Sequence, residues 1–237
     1  MRTLTGAAPA RPGSDPMGAT IAGDALHRTS WCPPFITLEG IDGSGKSTQA
    51  ALLAEWLEAE TGRPVLRTFE PGGWEAGQAL RDLILHGRIP DAATELLLFL
   101  ADRKGHLAEV VLPALAAGQV VLCERYTDST RAYQAGGHGA DPAFLERLVA
   151  ACDFPVPDLT ILLDLPPRTA AKRLADRGGG DRFEAEGLDF MERVARAYAE
   201  IARREPRRVL EVPAAGAPED VAREVRRGVR RHLGVLL

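Results

Sequence analysis

The 237-residue chain contains no asparagine. That absence removes the N-K-x-D motif with which guanine-binding switch proteins read their base, and argues against a GTP-binding module. Lysine is scarce as well. Lys46, Lys104 and Lys172 are the only three, and all other basic side chains except histidine are arginines. There is no excess of positive charge: the formal net charge is -4, so no general nucleic-acid surface is implied and any polyanion must be held locally. Cys32, Cys123 and Cys152 are too few and too scattered for a disulfide framework or a zinc site. Cys123 falls in an apolar run and reads as a small core residue. A reducing, cytoplasmic location is the simplest expectation. No apolar run reaches the roughly 20 residues of a membrane span.

What is present is ordinary for a globular chain, 45% hydrophobic and 26% charged. The length suits one sizeable α/β core. Residues 1–33 differ from the rest. They are rich in Ala, Gly, Pro, Ser and Thr, lack the apolar segment of a secretory signal, and read as a disordered tail in which Met17 offers a second start. The folded domain is expected over 34–237.

The most informative stretch runs from Phe35 to Thr48. Gly40-Ile41-Asp42-Gly43-Ser44-Gly45-Lys46-Ser47 fits G-x-x-x-x-G-K-[ST], the loop whose backbone N–H groups cradle phosphates. An apolar strand, Phe35 to Glu39, precedes it. A helical pattern with Leu52, Leu53, Trp56 and Leu57 follows. Glycines permit the backbone angles, the helix start favours an anion, Lys46 brings a point charge and the Ser47 hydroxyl can ligate Mg²⁺.

Further strands are expected at 64–69, 119–123, 159–165 and 209–212. Helices are expected at 75–86, 91–112, 127–134, 142–151, 167–177, 184–204 and 218–233, with Pro113 bending or ending the second of these seven. Strands alternating with helices predict a P-loop α/β fold: a parallel sheet covered by helices on both faces. Ligands of such sheets lie beyond the carboxyl ends of the strands. The loop, Glu70, Glu124-Arg125 and Asp164 all close or follow strands. Phe99 and Arg103 share a helix face, although Phe99 also suits a core position. Glu124 is either a helix N-cap or an acid near a metal, with Asp164 the weaker rival. His138, in a glycine-rich loop, reads as solvated.

Glu70-Pro71-Gly72-Gly73, Phe99-x-x-x-Arg103, the run Glu124 to Gln134 and Asp181-Arg182-Phe183-Glu184, taken with the P-loop, resemble the thymidylate kinase family over essentially the whole chain beyond the tail. The resemblance implies a five-stranded parallel core with a short lid, and transfer of the γ-phosphoryl group of ATP to dTMP with Mg²⁺. It implies ATP contacts from Gly40 to Thr48 and from Arg182. It implies a dTMP site of Asp42, Glu70, Arg81, Phe99, Arg103, Arg125, Ser129, Thr130, Tyr133 and Gln134. Phe99 would stack on the base, Arg103 read its edge, and Arg81 and Arg125 grip the phosphate. Asp42 would approach the 3′-hydroxyl and Tyr133 crowd the 2′ position. Ser47 and Glu124 would hold the metal. Lys46, Asp42 and Arg125 are the catalytic candidates, joined by a lid arginine, Arg177 before Arg173, because Gly43 occupies the place where some family members carry a loop arginine. A homodimer is expected. Three departures stand out: Phe69 and Trp74 bring bulk to the E-P-G-G segment, and Glu124 replaces the usual Asp. The first two leave open a different or modified nucleoside monophosphate as acceptor.

Overall fold

A computed structural model describes residues 32–178 and 182–234, the side chain of Arg177 excepted. The expectation for 1–33 therefore falls, apart from Cys32 and Pro33, outside the described residues. Five strands form one parallel sheet: β1 (Phe35–Glu39), β2 (Val65–Phe69), β3 (Val120–Glu124), β4 (Leu159–Asp164) and β5 (Val209–Pro213). Their order is β2-β3-β1-β4-β5. The P-loop strand is thus central, with β3 on one side and β4 on the other. Helix-forming segments between every pair of strands make the parallel arrangement possible, since parallel neighbours need a crossover.

Side-chain alternation sorts the sheet's residues between two apolar layers. Ile36, Leu38, Val120 and Leu122 enter one core with Leu53, Leu57, Val194 and Val225. Phe35, Val121 and Cys123 enter the other with Leu96, Val111 and Leu145. The first layer draws on α1 (Lys46–Thr61), α8 (Leu188–Arg204) and α9 (Pro218–Leu233). The second draws on α3 (Ala92–His106) and α6 (Pro142–Cys152). Burial on both faces explains why β1 and β4 read as nearly unbroken apolar runs.

The sequence expectations hold in outline and differ at three places. Pro113 does not end the helix that begins after Asp91. The chain passes from α3 through a π-helical turn, Leu107–Val111, into α4 (Leu112–Ala116) with Pro113 in its first turn. A wider turn leaves room for a residue that lacks an N–H. The helix expected at 127–134 is a short α5 (Thr127–Thr130) continuing as a π-helical segment, Arg131–Gly137. The helix expected from Glu184 is a 3₁₀ turn, Glu184–Glu186, broken at Gly187 (φ 85°) before α8 starts. As expected of a helix starting near Lys46, α1 begins at that residue, so the lysine itself sits in the first helical turn. Helices α2 (Gly77–His86) and α7 (Pro167–Arg177) match their predicted positions closely.

Candidate active site

The glycines of the P-loop are there for space and for backbone sign. Gly40, Gly43 and Gly45 have φ of 138°, 81° and 92°. A Cβ on Gly40 would lie 2.7 Å from the Leu163 carbonyl oxygen, a distance no real methyl group tolerates. The loop wraps Lys46, whose Nζ donates to the Gly40 and Ile41 carbonyls, 3.0 Å each. Burial, reinforced by the neighbouring Arg125 charge, pushes the Lys46 ammonium down to about 8, against the attraction of Asp42, Glu39 and Glu124. Ser44 closes the loop through its N–H to the Ile41 carbonyl.

Arg125 stands at the carboxyl end of β3. Its backbone is left-handed, with φ 68°, a conformation costly for a side-chain-bearing residue and met mostly at functional positions. That turn sends the guanidinium back over the loop. Nη2 donates to Asp42 Oδ1 (2.6 Å) and Tyr133 Oη (3.0 Å), and Nη1 donates to Ser129 Oγ (3.2 Å). The Tyr133 hydroxyl donates in turn to Asp42 Oδ2 (2.9 Å). Burial alone would raise the Asp42 pKa, but Arg125 and Lys46 outweigh it and hold the carboxyl well below the usual range. Beneath lies Glu39, fully buried at the end of β1, receiving the Tyr126 N–H and the Ser129 and Tyr198 hydroxyls. Burial, then the nearby Asp128 charge, raises its pKa.

Two cavities open on this edge of the sheet. The larger, ≈ 880 Å³, is lined by Lys46, Ser47, Thr48, Glu124 and Arg173, among others. The smaller, ≈ 100 Å³, is lined by Phe99, Ser129, Tyr133, Gln134 and Phe183. Asp42, Glu70, Arg81, Leu85 and Arg125 line both, so the two spaces meet over these residues. The larger suits an extended polyanion and the smaller a single flat ring. Ser47 Oγ donates to Glu124 Oε2 at 2.6 Å. A hydroxyl and a carboxylate side by side on the loop's rim are hard oxygen donors of the kind Mg²⁺ takes. Asp164, the rival acid, ends β4 and is exposed, and it lines neither cavity.

Several expected site residues lie elsewhere. Arg103 is 1% exposed and lines neither cavity. Its Nε donates to Glu70 Oε2 (2.7 Å), and its guanidinium lies over Tyr126 and Phe154 at 4.9 and 5.7 Å. Among the described residues its Nη1 has no hydrogen-bond partner. Glu70 is clamped from the other side by His106 Nδ1 (3.0 Å), whose Nε2 meets Thr68 Oγ1 at 2.6 Å. Thr130 is buried and does not line the smaller cavity, and among the described residues its Oγ1 has no hydrogen-bond partner. Arg182, expected at the nucleotide loop, instead donates to the Ile84 carbonyl (2.6 Å) and to Glu95 (2.5 Å), beside the smaller cavity. Of the lid arginines, Arg173 reaches the larger cavity, with Nη1 on the Gly43 carbonyl (3.3 Å) and Nη2 on that of Ala214 (3.2 Å). The Arg177 side chain lies outside the described residues.

The two bulky departures separate. Phe69 does line the larger cavity, 42% exposed, with the Arg81 guanidinium 5.3 Å above its ring. Trp74 lines neither cavity. It fills a slot between Gly77 and Gly105, where any Cβ would come within 2.4 Å of the indole, and donates to buried Asp102 (2.9 Å). The idea that it reshapes a nucleotide pocket is therefore replaced by a structural one. His138 is not solvated either: its ring is stacked on Phe183 (5.5 Å) and its Nδ1 lies 2.7 Å from Glu95.

Phe183, Glu95, His106 and Glu39 were not singled out from sequence. Phe183 stands inside the D-R-F-E cluster, and Glu39 is an acid closing an apolar strand, which is a signal of a partnered buried charge. Glu95 and His106 carry no such mark.

A family model for thymidylate kinase matches residues 38–225. The chain belongs to the thymidylate kinase family. It is 47% identical over 209 residues to the thymidylate kinase of Desulfovibrio desulfuricans, covering 84% of this chain and 96% of that protein. It is 49% identical over 202 residues to that of Solidesulfovibrio magneticus, covering 81% and 96%. The solved thymidylate kinase of Ehrlichia chaffeensis superposes with a TM-score of 0.69 at 33% identity, covering 84% of this chain and 98% of that one. The chain is thus a phosphotransferase that phosphorylates dTMP to dTDP with ATP and a divalent metal, and no comparison favours another acceptor.

Proposed function

We propose that the larger cavity receives the ATP phosphates, that the smaller receives the thymine ring, and that transfer occurs where they meet over Asp42, Arg81 and Arg125. The shared lining of the two cavities is the observation that carries this reading. The divalent metal is Mg²⁺, held by Ser47 and Glu124, and when bound it supplies positive charge to the phosphate oxygens. Lys46 and the loop N–H groups neutralise the donor. Arg81 and Arg125 orient the acceptor phosphate, a task for which planar guanidinium forks are suited. Arg125 is prepositioned by Asp42, Ser129 and Tyr133, so little reorganisation is needed as charge spreads over the transferring group. Arg173, already over the loop, is the lid arginine we assign to the donor side, with Arg177 its partner.

Phe99 provides the stacking face for thymine. The unpartnered Nη1 of Arg103 is a donor held in reserve behind the ring's O4 edge. The exposed Leu97 and Leu112 on the α3–α4 side suit a helix-faced homodimer, testable by sedimentation. Three free cysteines suit a cytoplasmic setting. The assignment of the two cavities is tested by steady-state kinetics of Phe99→Ala and Arg173→Ala. We expect KM for dTMP to rise at least about tenfold in the first and KM for ATP or kcat to suffer in the second. The reverse pattern overturns it.

A further inference from the structure

Glu95 belongs to none of the roles above, yet it is 3% exposed and takes three donors. Its Oε1 accepts from Gln134 Nε2 (2.9 Å) and lies 2.7 Å from His138 Nδ1, and its Oε2 accepts from Arg182 Nη2 (2.5 Å). Burial would raise its pKa, but the hydrogen bonds from His138, Gln134 and Arg182 outweigh this and lower it. An ionised carboxylate only accepts. A glutamine amide facing it must therefore turn its nitrogen inward. Gln134 lines the smaller cavity, so the group left for that cavity is its carbonyl oxygen.

We propose that Glu95 is a positioning residue for base selection: it fixes the Gln134 amide so that the cavity presents an acceptor, which suits a pyrimidine carrying N3–H and repels one carrying an N3 lone pair. The proposal rests on the reading that the smaller cavity holds the acceptor base. The same carboxylate steadies a second element. Arg182, tied to Glu95, lies 4.2 Å over the Phe183 ring, and Phe183 faces Phe99 at 6.1 Å. One buried charge thus sets both a polar edge and an aromatic wall. A neutral amide at position 95 could donate or accept, and Gln134 would then be free to flip.

The test compares kcat/KM for dTMP, dUMP and dCMP in the wild type, Glu95→Gln, Phe183→Ala and Phe99→Ala. Thymine and uracil share N3–H; cytosine does not. Glu95→Gln should lower the dTMP/dCMP ratio by about tenfold or more, with the dTMP/dUMP ratio and KM for ATP within twofold of wild type. Phe183→Ala should raise KM for dTMP and spare the dTMP/dCMP ratio. If Glu95→Gln does not fold, the double variant Glu95→Gln/Arg182→Gln, which leaves no unpaired guanidinium, carries the same expectation. An unchanged dTMP/dCMP ratio in a folded variant overturns the proposal, as does an equal fall in both ratios, which would mean general loosening. Should Phe99→Ala leave KM for dTMP unchanged, the cavity assignment itself fails. A raised KM in Phe99→Ala beside an unchanged ratio in Glu95→Gln refutes the inference alone.

Discussion

The proposed donor side and the proposed acceptor side of this active site are built in opposite ways. On the donor side the binding groups are mostly backbone, drawn from one loop of eight consecutive residues, 40–47, and held by positive-φ glycines and a helix start. On the acceptor side the groups are side chains from the loops that follow β1 and β3, the E-P-G-G turn, α2, α3 and the π-helical segment, held by ion pairs: the fully buried Arg103–Glu70 and the partly buried Arg182–Glu95 and Arg125–Asp42. Phosphate is the same in every nucleotide and can be met by repeated N–H groups. A base edge is not, and its recognition needs individually oriented donors and acceptors.

That contrast predicts that acceptor-side substitutions cost stability while donor-side ones cost rate. The largest expected effect is on Arg103→Ala. Breaking a buried pair leaves Glu70 with His106 as its only side-chain partner among the described residues, which should lower unfolding free energy by about 3–5 kcal/mol, read by denaturant titration, and dTMP affinity should fall with it. A loss below about 1 kcal/mol would break the comparison. Next is Lys46→Ala. The Gly40 carbonyl keeps Arg125 as a donor at 3.4 Å, so the fold should survive while kcat falls about 10²–10³-fold. Near wild-type kcat would remove Lys46 from catalysis.

Trp74→Thr should behave as a structural change despite lying in the family's E-P-G-G segment. Leaving Asp102 short of a partner costs about 1–3 kcal/mol, while both KM values stay within about threefold. A selective rise in KM for dTMP would return Trp74 to the pocket. The smallest effect sharpens the donor side. Lys46 titrates at about 8 in the folded protein against 10.5 ordinarily. The unfolded chain therefore binds more protons between those values, and this group makes stability rise with pH across that window, with its full cost present below it. Phosphate binding should restore the charged form, so ATP binding near pH 8 should take up roughly half a proton. Calorimetry in buffers of different ionisation enthalpy measures this, and uptake should vanish in Lys46→Ala. Equal uptake in the variant would assign the proton elsewhere.

The donor side was legible because its signal is local. The loop motif, the strand before it and the helix after it lie within one stretch, and each reports the same geometry. Phe99 and Glu124 were placed correctly on their elements, but periodicity could not say whether Phe99 faced core or cavity. It lines the cavity. The burial of Arg103 against Glu70 and the placements of Arg182 and His138 were not foreseen, for one reason. Their partners, Glu70, Glu95 and Phe183, are 33, 87 and 45 residues away in sequence, and no local pattern pairs them. The helix ends at Pro113 and Glu184 were misjudged because π and 3₁₀ turns leave almost no compositional trace.

The sequence by itself determined the parallel α/β sheet, the phosphate loop and the family, because alternation of periodicity and a contiguous motif need no long-range information. Only the tertiary structure decided which arginines touch the cavities, that Trp74 is a strut, and that Gln134 is hydrogen-bonded to Glu95. Those outcomes depend on which charges are buried together, and the cost of leaving a buried charge unpaired is settled by whatever side chain the fold brings within hydrogen-bond reach.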